Sequence, residues 1–506
     1  MSLEELFHSL PKEQQLFQFG AETANPLAEA FPRKRVVHAG LNGSVVPPDE
    51  SQQLWQQLMA VPPREKKIQT AYIHIPFCKT KCLYCGFFQN GTNQDVEDHY
   101  VDCLIQELEA SADSPRLQDS IIHAVFIGGG TPTSLSPQNA KRLLQTIQKC
   151  LPLANDYELT LEGRIHDLVP EKMDVWLANG VNRMSHIRRA VGRLDDQETV
   201  LRNLRGLLDY NQCAVVIDLI YGLPGQDMKI WQEDLDLLIQ SGVDGADLYQ
   251  LNVFDGSDLN KAIANGKLPP AATTAYQSGM FAFAKEYLEK RAYRRLNICH
   301  WSCSNRERSL YNTLARSGSA MFPFGSGAGG GLDGYSTMLH RAIQPYEMFV
   351  EAGKKPFMAL MKQSPLQPIV DAVQNQLEMC YIDLNKIYAF DDRLKDLAWL
   401  YALWEKRGLV AYNGVMYTLT DAGQFWQVNI TQTTLECIQY LMTGKNTMVM
   451  ERVAAQDAKK TASMAEAMKK MKNMQGMPSV AAMKKMAEAM QSMSPEELQQ
   501  VMKRMQ

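Results

Sequence analysis

Between residues 71 and about 260 the chain repeats one pattern: a run of β-branched and aromatic residues ends in a turn or polar cluster, and a helical stretch follows. The runs are "AYIHI", "HAVFIGG", "YELTLEG", "NRMS", "AVVIDLIYG" and "ADLYQLNVF". Strands separated by whole helices cannot close hairpins with one another; they lie parallel, each joined to the next by a crossover. Several in succession predict an α/β fold, a full or partial parallel barrel built from these six runs and the helices between them, with its chemistry at the C-terminal ends of the strands.

The flanking segments read differently. Residues 1–65 are polar and broken at "NPLAEAFPRK" and "VVPPDE", which predicts an extended N-terminal arm. Residues 66–345 hold the barrel and a substrate-side extension, in which "FGSGAGGGLDGY" calls for tightly turning backbone. Residues 346–446 read as a helical domain with a β wing, "YNGV" being the hairpin turn. From 447 to 506, Met464, Met468, Met471 and Met474, then Met483, Met486 and Met490, recur at spacings of three and four, which puts them on one helical face. "QGMPS" divides that tail, and Ser494 with Pro495 starts a third helix. A methionine stripe is an adaptable packing face or a surface for an apolar partner.

Composition excludes several classes. With 45% hydrophobic residues and a formal charge of -4, the chain has no bulk attraction for nucleic acid or anionic membrane. No apolar run approaches the length of a membrane span and the N-terminus has no signal-peptide pattern, so a cytoplasmic protein is expected. Ten cysteines in 506 residues are too few for a disulfide scaffold. Cys103, Cys150, Cys213, Cys380 and Cys437 stand singly among apolar residues and read as core thiols.

Cys78, Cys82 and Cys85 are different: they crowd into "IHIPFCKTKCLYCGFF", just beyond the first strand. Three thiolates leave a tetrahedral zinc site one ligand short. A four-iron, four-sulfur cluster takes three cysteines and keeps its fourth iron open to an outside ligand. Gly128, Gly129 and Gly130 end the second strand ahead of Thr131; they make either a simple turn or a bare backbone that a ligand can approach. Glu162 ends the third strand, and Asp218 lies within the apolar "AVVIDLIYG". A carboxylate in a buried strand costs several kcal/mol unless it is satisfied, by a ligand or by neighbouring backbone.

Tyr72-Ile-His-Ile-Pro-Phe-Cys78-x3-Cys82-x-Tyr84-Cys85-x-Phe87 resembles the signature of the radical S-adenosylmethionine (SAM) superfamily, in the form used by its oxygen-independent coproporphyrinogen dehydrogenase-like branch, which includes HemN and HemW. The resemblance runs over roughly residues 65 to 435 and takes in "GGGTPT", "LEG", "GVNRMS", "VIDLIYGLPGQ", "DLYQLN" and "LTDAGQFWQVNI". "NICHWS", "RERSLYN" and "GSGAGGG" are most similar to the heme-degrading methyltransferases of that branch, the anaerobilin synthases ChuW and HutW.

The resemblance implies a [4Fe-4S] cluster on Cys78, Cys82 and Cys85, with SAM on the open iron and a 5'-deoxyadenosyl radical formed when an electron breaks its C5'–S bond. The cofactor carries the chemistry and the protein supplies geometry. It further implies that Gly128, Gly129, Gly130, Thr131, Glu162, Arg193 and Asp218 hold SAM, and that Tyr72 and Ile220 help hold a second SAM whose methyl group is transferred. Heme is the implied substrate and a low-potential donor, flavodoxin- or NADPH-linked, the implied electron source. His300 and Trp301 are then candidate heme contacts, an ordinary packed histidine being the competing reading; the Met-rich tail is a candidate surface for a heme-handling partner. A heme chaperone of the HemW type shares the cluster and is the rival function.

Two departures from the family pattern stand out. Phe87, counted among the cofactor residues, replaces an extra cysteine of the coproporphyrinogen dehydrogenases, which argues against that activity. After Ser185, "GVNRMS" runs straight into "HIRRAVGRLDD", where relatives carry about eight more residues, a SAM-binding glutamine among them. A disabled site, a shortened strand and a sequence lacking residues that the protein carries are the alternatives; the match on both flanks favours the last.

Overall fold

The computed structural model describes all residues except Val37, Asn42, 64–67, 86–89, Thr92, 188–196 and 447–506. Phe87, Arg193 and the whole Met-rich tail therefore lie outside the described residues.

Each apolar run of the repeat is a strand: β1 (Ile68–Ile75), β2 (Ile121–Gly129), β3 (Leu153–Gly163), β4 (Arg183–Ile187), β5 (Ala214–Tyr221) and β6 (Gly245–Gln250). They pair in parallel in sequence order. Helices cross between them: α1 (Gln94–Ala112), α2 (Pro137–Cys150), α3 (Pro170–Ala178), α4 (Gln197–Leu208) and α5 (Met228–Ser241). Local chemistry sets their ends. The Asn93 side chain accepts from the backbone N–H of Asp95 and Val96 to start α1, and Ser136 accepts from Asn139 N–H at the start of α2, with Pro137 in the first turn. Asp227 caps α5, and Gly242 ends it in the left-handed region.

Beyond β6 come β7 (His300–Ser302), antiparallel to β6, and then β8 (Ala320–Phe324), which returns to pair in parallel with β1. β9 (Gly329–Leu332), β10 (Tyr335–Leu339) and β11 (Phe357–Lys362) continue antiparallel outside β8. The result is one 13-stranded sheet whose two ends, Ser44–Val45 and Arg294–Arg295, do not pair with each other, so the barrel is partial. Part of the Gly-rich run thus forms a strand pair; only its ends turn, with Gly325, Gly327 and Gly334 at positive φ. Among the described residues no helix is long and apolar enough to cross a membrane.

The core lies between the outer face of the strands and the helices. Ile73, Ile75, Val125, Ile127, Leu159, Leu161, Val215 and Ile217 point into it and are buried. Alternation along each strand sends the intervening residues to the opposite, inner face.

The N-terminal segment is not the extended arm that its polarity predicts. It forms helices Leu3–Ser9, Lys12–Phe19 and Pro48–Met59. Phe7 and Phe19 pack edge-on to each other and against Trp399, and Trp404 donates its indole N–H to the Phe19 carbonyl. The apolar residues that make this possible are spaced singly, so their partners, some 390 residues away, are invisible in a local pattern. The hairpin at "YNGV" forms as its turn residues require, between Val410–Tyr412 and Tyr417–Leu419, with Gly414 at φ +93.

Candidate active site

The inner face collects the polar residues of the strands. Tyr72 and His74 come from β1, Phe126 and Gly128 from β2, Glu158, Thr160 and Glu162 from β3, Arg183 and Ser185 from β4, Asp218 and Ile220 from β5, and Asp247 and Tyr249 from β6. Glu162 and Asp218 sit near the C-terminal ends of their strands, where a barrel of this kind concentrates function.

The cysteine loop leaves the end of β1 and is clamped from several sides. Gly130 N–H donates to Ile75 O and Thr131 N–H to Phe77 O, both at 2.7 Å. A Cβ on Gly130 would lie 2.4 Å from Phe77 O, so only glycine admits this crossing of the two loops. Arg164 donates to the hydroxyl and carbonyl of Thr80 at 2.7 and 2.8 Å, Lys79 pairs with the buried Asp167 at 2.9 Å, and Lys81 pairs with Asp258 at 2.6 Å. Leu83 O accepts from Leu259 N–H, and Leu83 and Tyr84 pack with Ile220, Leu223 and Leu251.

All three loop cysteines are free thiols. The Thr131 hydroxyl lies 3.3 Å from Cys78 Sγ, and the Arg164 guanidinium 3.6 Å from Cys82 Sγ. Burial raises the Cys78 pKa, with Thr131 and Arg164 opposing it and the neighbouring Cys85 and Cys82 adding to it. A hydroxyl and a guanidinium beside the loop sulfurs suit a cluster of net negative charge, and the donor set fits three of the four ligands of a [4Fe-4S] centre.

The lumen beside the loop is equally specific. Glu162 accepts from Gly129 N–H at 3.3 Å; burial lifts its pKa to about 7, against that hydrogen bond. Asp218 is raised still more strongly by burial and by Asp247 and Glu162, and the Ser185 hydroxyl lies 3.5 Å from its carboxylate. Tyr72 OH lies 3.0 Å from His74 Nδ1, while His74 Nε2 is buried without a partner among the described residues and faces the place where a Gly129 Cβ would be. Two under-compensated carboxylates and an orphaned imidazole nitrogen suit a ligand with a cationic amino-acid end and hydroxyls, which SAM is. Tyr72, Phe126 and Tyr311 form an aromatic wall, Phe126 and Tyr311 with centroids 4.8 Å apart.

His300 does not stand free for a heme iron. The ring is fully buried, with Nδ1 2.9 Å from Asp247 Oδ1 and Nε2 3.1 Å from Glu307 Oε1. Glu307 in turn takes Arg183 Nε at 2.9 Å. Burial opposes protonation of His300, but Asp247 and Glu307 outweigh it and hold its pKa at about 9. For Glu307, burial is outweighed by Arg183 and His300, which bring it down to about 2. His300 is thus the positively charged centre of a buried relay, a role that lay outside the sequence reading because Asp247 and Glu307 come from other elements. Trp301, its neighbour, points the other way and lines a cavity of about 450 Å³ together with Lys34, Lys285, Arg316, Phe281 and Tyr249. Tyr249, which lines that cavity, has its pKa raised by Asp247, by burial and by Asp218.

Of the sequence-predicted residues, Gly130 and Thr131 bond to the segment that leads into the cysteine loop, Thr131 reaches Cys78 and Ile220 packs against the loop, while Tyr72, Gly128, Gly129, Glu162 and Asp218 belong to the strands that line the lumen beside it. Sequence reasoning missed Arg164, Phe126, Tyr249 and Tyr311. Strand alternation signals Phe126 and Tyr249; nothing local signals Tyr311, which reaches the lumen from helix Leu310–Arg316.

A partial parallel barrel with a three-cysteine loop at the mouth of its lumen defines the architecture of the radical SAM enzymes. Residues 72–238 match the Radical SAM superfamily. Anaerobilin synthase of Escherichia coli O157:H7 is 38% identical over 400 residues, 77% of this chain and 88% of that protein. The heme chaperone HemW of Bacillus subtilis is 28% identical over 298 residues, 56% of this chain and 77% of that one. The solved structure of the coproporphyrinogen III oxidase HemN from Escherichia coli shares the fold at 20% identity, with a TM-score of 0.65 over 78% of this chain and 96% of that one. The chain belongs to the radical SAM superfamily, in the group that holds these relatives, and is a radical SAM enzyme. Its cofactors are accordingly a [4Fe-4S] cluster and SAM.

Proposed function

We propose that the protein opens heme without oxygen by radical methylation, giving a linear tetrapyrrole and releasing iron. The observation that carries this reading is the 38% identity over 88% of the length of anaerobilin synthase. With a low-potential electron donor, the cluster and SAM together supply a carbon radical. The chain's own residues hold the reactants. Glu162 and Asp218 receive SAM's amino and hydroxyl groups, and the Gly128–Gly130 backbone leaves room for its methionine end.

A second SAM, as methyl source, is assigned to the side of the lumen bounded by Tyr72 and Ile220. Heme is assigned to the cavity lined by Trp301, whose volume falls in the usual ligand range. Of its basic residues, Lys285 is paired with Glu289 and Asp421, Arg316 is paired with Glu378, and burial lowers the Lys34 pKa to about 7, so the propionates compete with those carboxylates for Lys285 and Arg316. The proposed setting is the cytoplasm, and the Met-rich tail is assigned to a heme-handling partner.

The test is anaerobic reconstitution of the cluster, addition of SAM, heme and a reductant, and simultaneous measurement of the Soret band and of 5'-deoxyadenosine. Bleaching with a methylated, ring-opened product, absent in Cys82→Ala, is the expected result. The similarity to HemW favours a second reading, heme delivery. Tight heme binding with an unbleached Soret band would replace the first reading with the second.

A further inference from the structure

On α1, the helix that follows the cysteine loop, His99 and Cys103 stand one turn apart, a spacing that places two side chains side by side. Helix Ile343–Glu351 packs against α1 and carries Glu347 and Glu351 at the same spacing. His99 Nε2 lies 3.2 Å from Glu351 Oε1 and 3.9 Å from Glu347 Oε2. One donor atom each from His99, Cys103 and Glu351 lies within 4.8 Å of the other two.

Cys103 packs in the apolar core, but packing does not account for the buried carboxylate oxygen of Glu347 beside it. Cys103 is only 2% exposed, yet its Sγ makes no hydrogen bond among the described residues. Burial pushes the Cys103 thiol up to about 12, and Glu347 and Glu351 push it the same way. Glu347 Oε1 is buried without a hydrogen-bond partner among the described residues, a costly placement for an anionic oxygen. Among the described residues the only base within ion-pair distance of Glu347 and Glu351 is His99.

We propose that His99, Cys103 and Glu351, with Glu347 as the fourth donor, form a binding site for a divalent cation of the zinc class. Imidazole nitrogen, thiolate sulfur and carboxylate oxygen together select zinc, cobalt or a similar borderline ion over magnesium or calcium, which take oxygen donors. Binding exchanges the S–H bond of Cys103 for a sulfur–metal bond and releases its proton to water. The bound ion staples α1, and with it the end of the cysteine loop, to helix Ile343–Glu351.

The test uses the full chain with its iron–sulfur cluster reconstituted first, so that Cys78, Cys82 and Cys85 are already occupied. The protein is equilibrated with zinc chloride, desalted and assayed for zinc and iron. One zinc per chain is expected, falling at least tenfold in His99→Ala/Glu351→Gln with iron unchanged. Both of those side chains are 53% exposed, so the double variant retains the fold. With cobalt in place of zinc, a thiolate-to-metal charge-transfer band is expected in the wild type and not in Cys103→Ser. Zinc content equal in wild type and double variant, or a wild type that holds none after desalting, would overturn the proposal.

Discussion

Replacing His300 by glutamine removes the cation from the relay that ties β4, β6 and β7 together through Arg183, Glu307 and Asp247. In the folded protein His300 titrates at about 9, against 6.5 for an unperturbed histidine. A proton held more tightly in the folded state stabilises it fully below the unfolded value, and the contribution disappears as pH rises through the folded one. At about 1.4 kcal/mol for each tenfold change in proton affinity, the span from 6.5 to about 9 corresponds to about 3 kcal/mol. The loss is concentrated between those two pH values. On the acid side Glu307, held at about 2, adds stability that is present above its unfolded value near 4.5 and is lost as pH falls toward 2. The assay is urea unfolding of wild type and His300→Gln, followed by tryptophan fluorescence at pH 6 and pH 9.5. The variant is expected to be less stable at both, because Asp247 and Glu307 lose a buried partner. The gap is expected to be about 3 kcal/mol wider at pH 6 than at pH 9.5. A gap that stays constant across that range would refute the assignment of His300 as the charged centre of the relay.

Glu162, at about 7, is protonated for much of the population just below neutrality; if its anion accepts a hydrogen bond from the SAM amino group, SAM binding to cluster-loaded protein strengthens several-fold between pH 6 and pH 8. Isothermal titration should show that dependence in the wild type and its absence in Glu162→Gln. Gly130→Ala forces a Cβ to 2.4 Å from Phe77 O, and the displaced loop is expected to cost about 1–3 kcal/mol of stability and much of the cluster occupancy, read as iron and sulfide per chain. Arg164→Met removes the two hydrogen bonds to Thr80 and the guanidinium beside Cys82. The cluster is then expected to form but to bleach faster in air, with a lower reduction potential in a dye-coupled titration, since a nearby positive charge favours the reduced centre.

The order and direction of β1 to β6 were legible in the sequence, because alternating apolar runs and helix-length spacers admit only parallel crossovers. So was the glycine triplet, whose residue type is demanded by local geometry: bare backbone where two loops cross at Phe77 and Gly130. "NRMS" was readable as a strand, and β4 forms in register between β3 and β5, although the residues just after it, 188–196, lie outside the described residues.

Other features depend on partners far apart in the chain and emerge only in the folded molecule. Whether His300 is a ligand or part of a relay turns on Asp247 and Glu307, which a three-residue window around "CHW" cannot contain. The N-terminal helices were hidden because their apolar residues find Trp399 and Trp404 only after the C-terminal helices have packed. His99 and Cys103 share a face by simple helical period, but their meeting with Glu351 requires two helices some 250 residues apart to dock. Local periodicity fixes which way a side chain points; burial, charge and distance to a remote partner fix what it does, and those come into being only when the sheet curls around its lumen.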